Sequence, residues 1–336
     1  MHDPTTKEYV YAKAHGMWAT SFLVGRDNEV RALKNVQDLY RAVFSEDPPL
    51  VPEAKLTDLI EEKLTLRTIR DFTRLLSMYD HSYPLLNLLL YEYELINLKI
   101  ALSQLQQKNE DASFIIDIGS YSPLNWSAWP SLKDVTENSI FSFFSSVVSQ
   151  EKQVAKEIEL DDAYYLALWQ ALNSSSIADY QACSKLVLKE FLLKNIVWML
   201  RLRTYYDYRG EALRKLLLGS WTEKSKKLLL HPLEDVIDTP LTDRDAWKSW
   251  RYEWLINPIQ ENEVWKLDPR YAQSVADRYL FNLALHNFHN CDNPVSLLFS
   301  FFKLKRAEEY FVRQTLEKLK VGMNMPFESV MEENVI

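Results

Sequence analysis

Few residues in this chain have types and spacing suited to chemistry. The segment HNFHNCD places His286, His289, Cys291 and Asp292 within seven positions. Two histidines at i, i+3 can share a helix face, and zinc accepts nitrogen and sulfur ligands. The segment lies at an expected helix end just before Pro294, however, where histidines cap carbonyls or meet water. That is the expected role here, and a metal-dependent enzyme using His286 and His289 is the most distant reading. A phosphate-binding loop needs clustered glycines so that backbone can approach phosphate. Gly16, Gly25, Gly119, Gly210, Gly219 and Gly322 are never closer than nine positions, so nucleotide catalysis is not expected and no cofactor is implied.

The polar residues that stand out instead sit inside apolar helices. Leu85–Gln107 reads as one long buried helix, with leucine, isoleucine and alanine covering most of its circumference. Near its middle, Asn97 has Tyr93, Ile100 and Ala101 as helical neighbours. An amide in that setting costs roughly 1–3 kcal/mol unless hydrogen-bonded, so Asn97 is expected to tie the helix to neighbouring backbone; a side chain that reaches water is the plainer alternative. Leu186–Tyr206 repeats the pattern, with Asn195 among Phe191, Leu192, Trp198 and Met199. Leu297–Gly322 is a weaker third copy with Phe311 at the corresponding place. Each copy follows an upstream helical segment (Thr65–Tyr79, Asp161–Leu172, Ser274–Asn287) and a polar break (Asp80–Pro84, Asn173–Asp179, His289–Pro294). The markers stand 98 and 116 residues apart, which three diverged units of roughly a hundred residues explain most simply.

These repeats carry a resemblance. EYELINLKIAL, LDDAYYLALWQAL with KNIVWMLRLR, and KLKRAEEYFVRQTLEKLKVGM resemble the three repeat signatures of the C-subunit family of V-type ATPases, whose eukaryotic relative is the d-subunit. The opening YVYAKAHGMWATSFLVG is similar to that family's first helix. The likeness covers nearly the whole chain and rests on the order of all the segments. The chain departs from the pattern at His15, Gly16 and Met17, where the family usually carries arginines, and at Phe311, where it usually has asparagine. The acid three before the marker is present as Glu94 and Glu308 but is Leu192 in the middle copy.

The resemblance implies an all-α fold of three pseudo-repeats, 1–118, 119–210 and 211–336, forming a funnel around a pseudo-threefold axis in one compact body. It also implies a non-catalytic socket of a rotary ATPase, held at the cytoplasmic face of the membrane by protein contacts. The implied partners are the D and F proteins of the central shaft and the membrane proteolipid rotor ring. An obligate homo-oligomer is not implied. The alternative is a cytosolic helical-repeat adaptor unrelated to ATPases.

Composition agrees with a large globular protein: 336 residues, 47% apolar and 26% charged. Six glycines disfavour hairpins. A net charge of −8 gains nothing from counterion release, so nucleic acid is not an expected partner. Cys183 and Cys291 give no disulfide framework, which points to a reducing compartment. Met1–Lys13 lacks the apolar core of a signal peptide. No apolar run approaches the 18 or so residues of a membrane span, so direct lipid insertion is not expected. Basic islands interrupt the acidic chain: Arg201, Arg203 and Arg209 within Arg201–Arg214, and Lys224, Lys226 and Lys227. A solvated face is the plain reading of these islands; contact with acidic partner loops is the sharper one.

Taken in order, the chain predicts helices over Glu8–Val24, Asn28–Phe44, Glu53–Leu64 and Thr65–Tyr79. A connector over Asn109–Trp129 includes a strand-like piece at Phe114–Ile118. Helix is expected again over Val135–Ile158, Glu211–Leu218 and Thr222–Leu230. Thr242 is expected to cap a helix over Asp243–Trp254, on which Trp247, Trp250 and Trp254 form one stripe, expected to pack in the core or against another helix, with an exposed partner-docking stripe as the alternative. Asp268–Leu285 and Pro294–Leu319 complete the expected helices, with Gly322 as the residue after the last and Met323–Ile336 as a helical turn and frayed tail.

Overall fold

A computed structural model describes residues 4–79, 82–149, 152–259 and 264–321. The expectations for Gly322 and Met323–Ile336 lie outside the described residues. Among those described, the fold is all-helical, with thirteen α-helices and no strand. The strand-like reading of Phe114–Ile118 is therefore corrected: it is irregular backbone before a 3-10 turn at Gly119–Tyr121. The described chain forms two compact units, one running up to Val147 and resuming at Ala284, the other spanning Val148–Leu283.

The first unit opens with α1 (Pro4–Ala19), α2 (Asp27–Arg31) and α3 (Val36–Phe44). The single helix expected over Asn28–Phe44 is broken because Asn35 accepts from the Asp38 N–H at 2.8 Å, capping a new helix. α1 stops short of Val24 because the Phe22 N–H is taken by the distant Glu308 carboxylate. Pro52 leads into α4 (Glu53–Leu76), which runs unbroken across the expected Leu64–Thr65 junction. α5 (Pro84–Gln106) starts on its proline, as N1 allows. α6 (Leu132–Thr136) is only five residues long.

After α6 the expected helix over Val135–Ile158 fails. Serine hydroxyls compete for its backbone: Ser139 donates to the Thr136 carbonyl and accepts from the Phe141 N–H. Phe141 and Phe144 are fully buried as anchors, while Phe143 between them is 41% exposed. Helix resumes only at Gln153.

α13 (Pro294–Val321) is the spine of the first unit and packs against α1, α2, α3, α4 and α5. Phe302 meets Phe72 of α4 at 4.8 Å and Tyr93 of α5 at 6.4 Å between ring centroids. Phe288, near the end of α12 (Pro269–Asn290), stacks on His15 of α1 at 4.3 Å. Such aromatic contacts add about 0.5–1.5 kcal/mol each beyond buried area.

The second unit is built on α7 (Gln153–Ser174) and α8 (Ile177–Tyr206), packed as a pair. The break between them is only Ser175–Ser176. The Ser176 hydroxyl accepts from the Asp179 N–H, so α8 starts nine residues before the expected Leu186. Tyr165, Phe191, Trp221 and Trp169 form a continuous aromatic contact chain. Three short helices follow: α9 (Gly210–Arg214), α10 (Glu223–Leu229) and α11 (His231–Glu234). Thr222 and Ser225 form a reciprocal capping box on α10.

The helix expected over Asp243–Trp254 is absent, and Thr242 caps nothing. Asp243 instead accepts from the Asp245 and Ala246 N–H groups, and the segment holds only 3-10 turns at Asp245–Trp247 and Glu253–Leu255. The indole N–H groups decide its path: Trp247 donates to the Pro240 carbonyl at 2.9 Å and Trp250 to that of Pro232 at 3.0 Å. Trp247 and Trp250 are buried and in mutual contact, whereas Trp254 leaves the stripe to meet Tyr279.

Candidate functional site: backbone clamps, a buried ion network and basic surfaces

Asn97 and Asn195 are fully buried and make the same connection in the two units. The Asn97 amide donates to the Ile116 carbonyl and accepts from the Ile116 N–H, both at 2.9 Å. Asn195 does this with Leu218, both bonds at 2.8 Å, and its second amide hydrogen reaches the Leu229 carbonyl at 3.1 Å. Each asparagine thus replaces, for an irregular segment, the backbone partner that secondary structure would otherwise give. Close approach at the second clamp depends on Gly219, whose φ is +106°. A Cβ there would lie 2.9 Å from that of Leu229.

Phe311 is buried but carries no clamp; the guanidinium of Arg31 lies 5.6 Å from its ring centroid. The acid one turn earlier does the holding instead: Glu308 accepts from the Phe22 N–H at 2.9 Å, across 286 positions of sequence. Its counterpart Glu94 is also buried and accepts from Asn97 at 3.0 Å, the Trp126 indole at 2.8 Å and the Ser122 hydroxyl. Their electrostatics differ. Burial pushes the Glu94 carboxyl up, and its three neutral donors only partly offset that. Burial also opposes the charge on Glu308, but the fields of Lys305 and Arg67 overcome it and hold the carboxyl below the usual value.

Glu308 belongs to an ion network that sequence reasoning did not find. Glu309, 1% exposed in its side chain, accepts from Arg306 at 2.7 Å, Arg313 at 2.9 Å, Thr65 at 3.0 Å and Tyr93 at 3.0 Å. Lys305 pairs with Glu308 and lies 3.7 Å from Asp71. Glu92 receives Lys303 and lies 3.4 Å from Arg306, whose guanidinium also sits 4.6 Å from the Tyr93 ring centroid. Burial alone would raise the Glu309 carboxyl; the charges of Arg306 and Arg313 more than compensate and lower it. The network locks α13 to α4 and α5. Its signal in the sequence is the spacing of opposite charges: Lys305 to Glu308 and Arg306 to Glu309 at i+3, Glu309 to Arg313 at i+4.

The basic residues expected to face partners separate into two groups. Arg203 is corrected: it is 5% exposed and spends its guanidinium on the Val236 and Thr239 carbonyls. Arg201 is half-buried, and its charge helps hold down the Asp277 carboxyl, which burial nonetheless raises to about 6. Arg209 is exposed and pairs with Asp207. Lys224 donates to the Asn173 side chain at 2.8 Å and lies over the Tyr180 ring. Lys226 pairs with Glu223 at 2.7 Å, and Lys227 is exposed.

The four metal candidates do not converge. His286 bonds within its own helix to Asn290, while His289 lies beside His15 at 5.5 Å between ring centroids. Cys291 is half-buried against Tyr11 and Ser296. Among the described residues no group of three or more His, Cys, Asp or Glu side chains could hold a metal ion, and no helix is long and apolar enough to cross a membrane.

Comparison with known proteins agrees with the repeat signatures. An uncharacterized protein of Treponema pallidum (strain Nichols) is 31% identical over 324 residues, covering 94% of this chain and 92% of that protein. The family described as ATP synthase (C/AC39) subunit matches residues 37–310, a span that includes both asparagine clamps and most of the ion network. The chain belongs to that C/AC39 family of V-type ATPase components.

Proposed function

We propose that this protein is the socket of a rotary V/A-type ATPase. It would join the D and F proteins of the central shaft to the membrane proteolipid rotor ring and carry torque for ion transport. The family match over residues 37–310 is the observation that carries the reading, and it removes the adaptor unrelated to ATPases. In this reading the chain is arranged as three pseudo-repeats, 1–118, 119–210 and 211–336, in a funnel at the cytoplasmic face. The protein is peripheral and non-catalytic. Torque transmission asks for stiffness and broad complementary surfaces. The clamps at Asn97 and Asn195 and the network around Glu309 support it, since each pins segments that would otherwise shift under load. Arg201, Arg209, Lys224, Lys226 and Lys227 are proposed contacts to acidic partner loops.

Flotation tests the reading. Purified protein is mixed with bare liposomes and with liposomes carrying the reconstituted rotor ring, across a salt series. Binding only to the ring-bearing set is expected, weakening as salt screens polar rim contacts over a Debye length of about 8 Å. Equal binding to bare liposomes would sink the socket reading. Ring binding unmoved by salt and by Lys226→Glu with Lys227→Glu would discard only those lysines as contacts.

A further inference from the structure

Three cations gather around one tyrosine in the second unit. Lys185 and Lys189 stand four positions apart on α8 and therefore share a face. The Lys189 ammonium lies 5.3 Å from the ring centroid of Tyr252, and the Arg251 guanidinium lies 5.8 Å from the same centroid. Lys185 and Arg251 are exposed and Lys189 is half-buried. Among the described residues none of the three pairs with an acid. The acids of the segment that carries Arg251 are already engaged: Asp243 by the N–H groups of Asp245 and Ala246, Asp245 by Lys248 at 2.8 Å, and Glu253 by Arg244 at 2.9 Å. Burial pushes the Lys189 ammonium down, and the charges of Arg251 and Lys185 push it further, with no carboxylate to offset them. Tyr252 adds a neutral donor. Its side chain is packed on Trp250 at 5.5 Å and only 5% exposed, yet its hydroxyl has no hydrogen-bond partner among the described residues. Buried tyrosines usually find one.

We propose that Lys185, Lys189, Arg251 and the Tyr252 hydroxyl form a binding site for a phosphate monoester. The count of charges and donors sets that chemistry. A phosphate monoester carries about −1.5 to −2 charge at pH 7 and three strong acceptor oxygens, enough to face three cations and a hydroxyl at one point. A carboxylate brings a single charge and two oxygens, and would leave cations uncompensated. Arg251 can give phosphate two parallel N–H bonds, with the lysines as point charges beside it. The diesters of a nucleic-acid backbone carry one charge each, and the chain's net charge of −8 repels the rest of such a polymer. The phosphate group can belong to a soluble compound or to a lipid headgroup, since the site reads the same chemistry in both. The site does not rest on the socket reading, and either can fail alone.

The test titrates the full chain calorimetrically with inositol trisphosphate, and separately floats it with phosphatidylcholine vesicles with and without phosphatidylinositol bisphosphate. Saturable binding of inositol trisphosphate at physiological salt is expected. Lys189→Gln with Arg251→Gln should raise Kd at least about tenfold, and Tyr252→Phe about three- to tenfold. These variants should melt no lower than the unaltered protein, because they break no ion pair and the glutamines relieve a repulsion. Flotation only with the bisphosphate vesicles, lost in the double variant, would identify a lipid headgroup as the source. Soluble binding without flotation would identify a soluble phosphate compound. Failure of both probes to bind at millimolar phosphate would overturn the proposal. So would affinities unchanged in the double variant, and so would citrate binding as tightly as inositol trisphosphate, since the cluster would then read charge alone.

Discussion

Replacing Asn195 by leucine should destabilise the second unit by about 2–4 kcal/mol. The change strips the Leu218 N–H of its acceptor at 2.8 Å and the Leu218 and Leu229 carbonyls of their donor at 2.8 and 3.1 Å. Leu218 and Leu229 are fully buried, so water is not at hand to replace the amide. Each orphaned buried group costs about 1–3 kcal/mol. The N–H, with a single donor direction, bears its full cost, while carbonyls keep a second lone pair and relax more easily. Added apolar burial from leucine returns about 1 kcal/mol at most. The net corresponds to roughly 5–12 °C of melting midpoint for a unit of this size. Urea and thermal melts followed by tryptophan fluorescence would measure it, since Trp169, Trp198 and Trp221 lie in the same unit. Asn97→Leu serves as a parallel case in the first unit, where Asn97 Nδ2 also donates to Glu94. An unchanged midpoint for Asn195→Leu, with m-value preserved, would refute the clamp as an energetic feature.

Glu309→Ala should cost about 3–5 kcal/mol, the range for breaking a buried pair, because Arg306 and Arg313 lose their shared carboxylate; a chemical melt that leaves the midpoint in place would count against the network. The carboxyls of Glu308 and Glu309 are held below their ordinary 4.5, so their stabilising contribution is full above that pH and lost as pH falls through the lower folded values. Acid unfolding of the first unit should accordingly begin below about 4.5, and Glu309→Gln should flatten that limb. Asp277 has the opposite sign: raised from 3.8 to about 6, it binds its proton more readily when folded, so stability gains as pH falls from 7 through 6. Asp277→Asn keeps an acceptor for Gln273 and should remove that slope, on the order of 2 kcal/mol at pH 7, in melts run across about pH 4–8. Calorimetric titration of the isolated chain with ATP should show no stoichiometric heat, and micromolar binding would overturn the reading drawn from its dispersed glycines.

The helical class, the three central helices and the two asparagines as ties to backbone were legible in the sequence, because each rests on a local pattern of 3.6-residue periodicity and an amide among apolar neighbours. The family came from the resemblance of those segments, taken in order, to the repeat signatures of the C-subunit family, and the match over residues 37–310 shows it. Local pattern could not name what the asparagines hold, since Ile116 and Leu218 lie 19 and 23 positions away in irregular chain. Residues 137–149 and 243–254 read as helix by composition, yet serine hydroxyls and tryptophan N–H groups found other partners that outweighed a weak propensity. Arg203 looked like the other basic residues of its island, but in the folded chain its guanidinium is buried on the Val236 and Thr239 carbonyls. The network around Glu309 is the clearest case. Its charges were visible along one helix, but Thr65 and Tyr93 reach them across 244 and 216 positions. Periodicity fixes which face of a helix is buried; only the folded chain decides which distant groups that face meets and what charge can survive there.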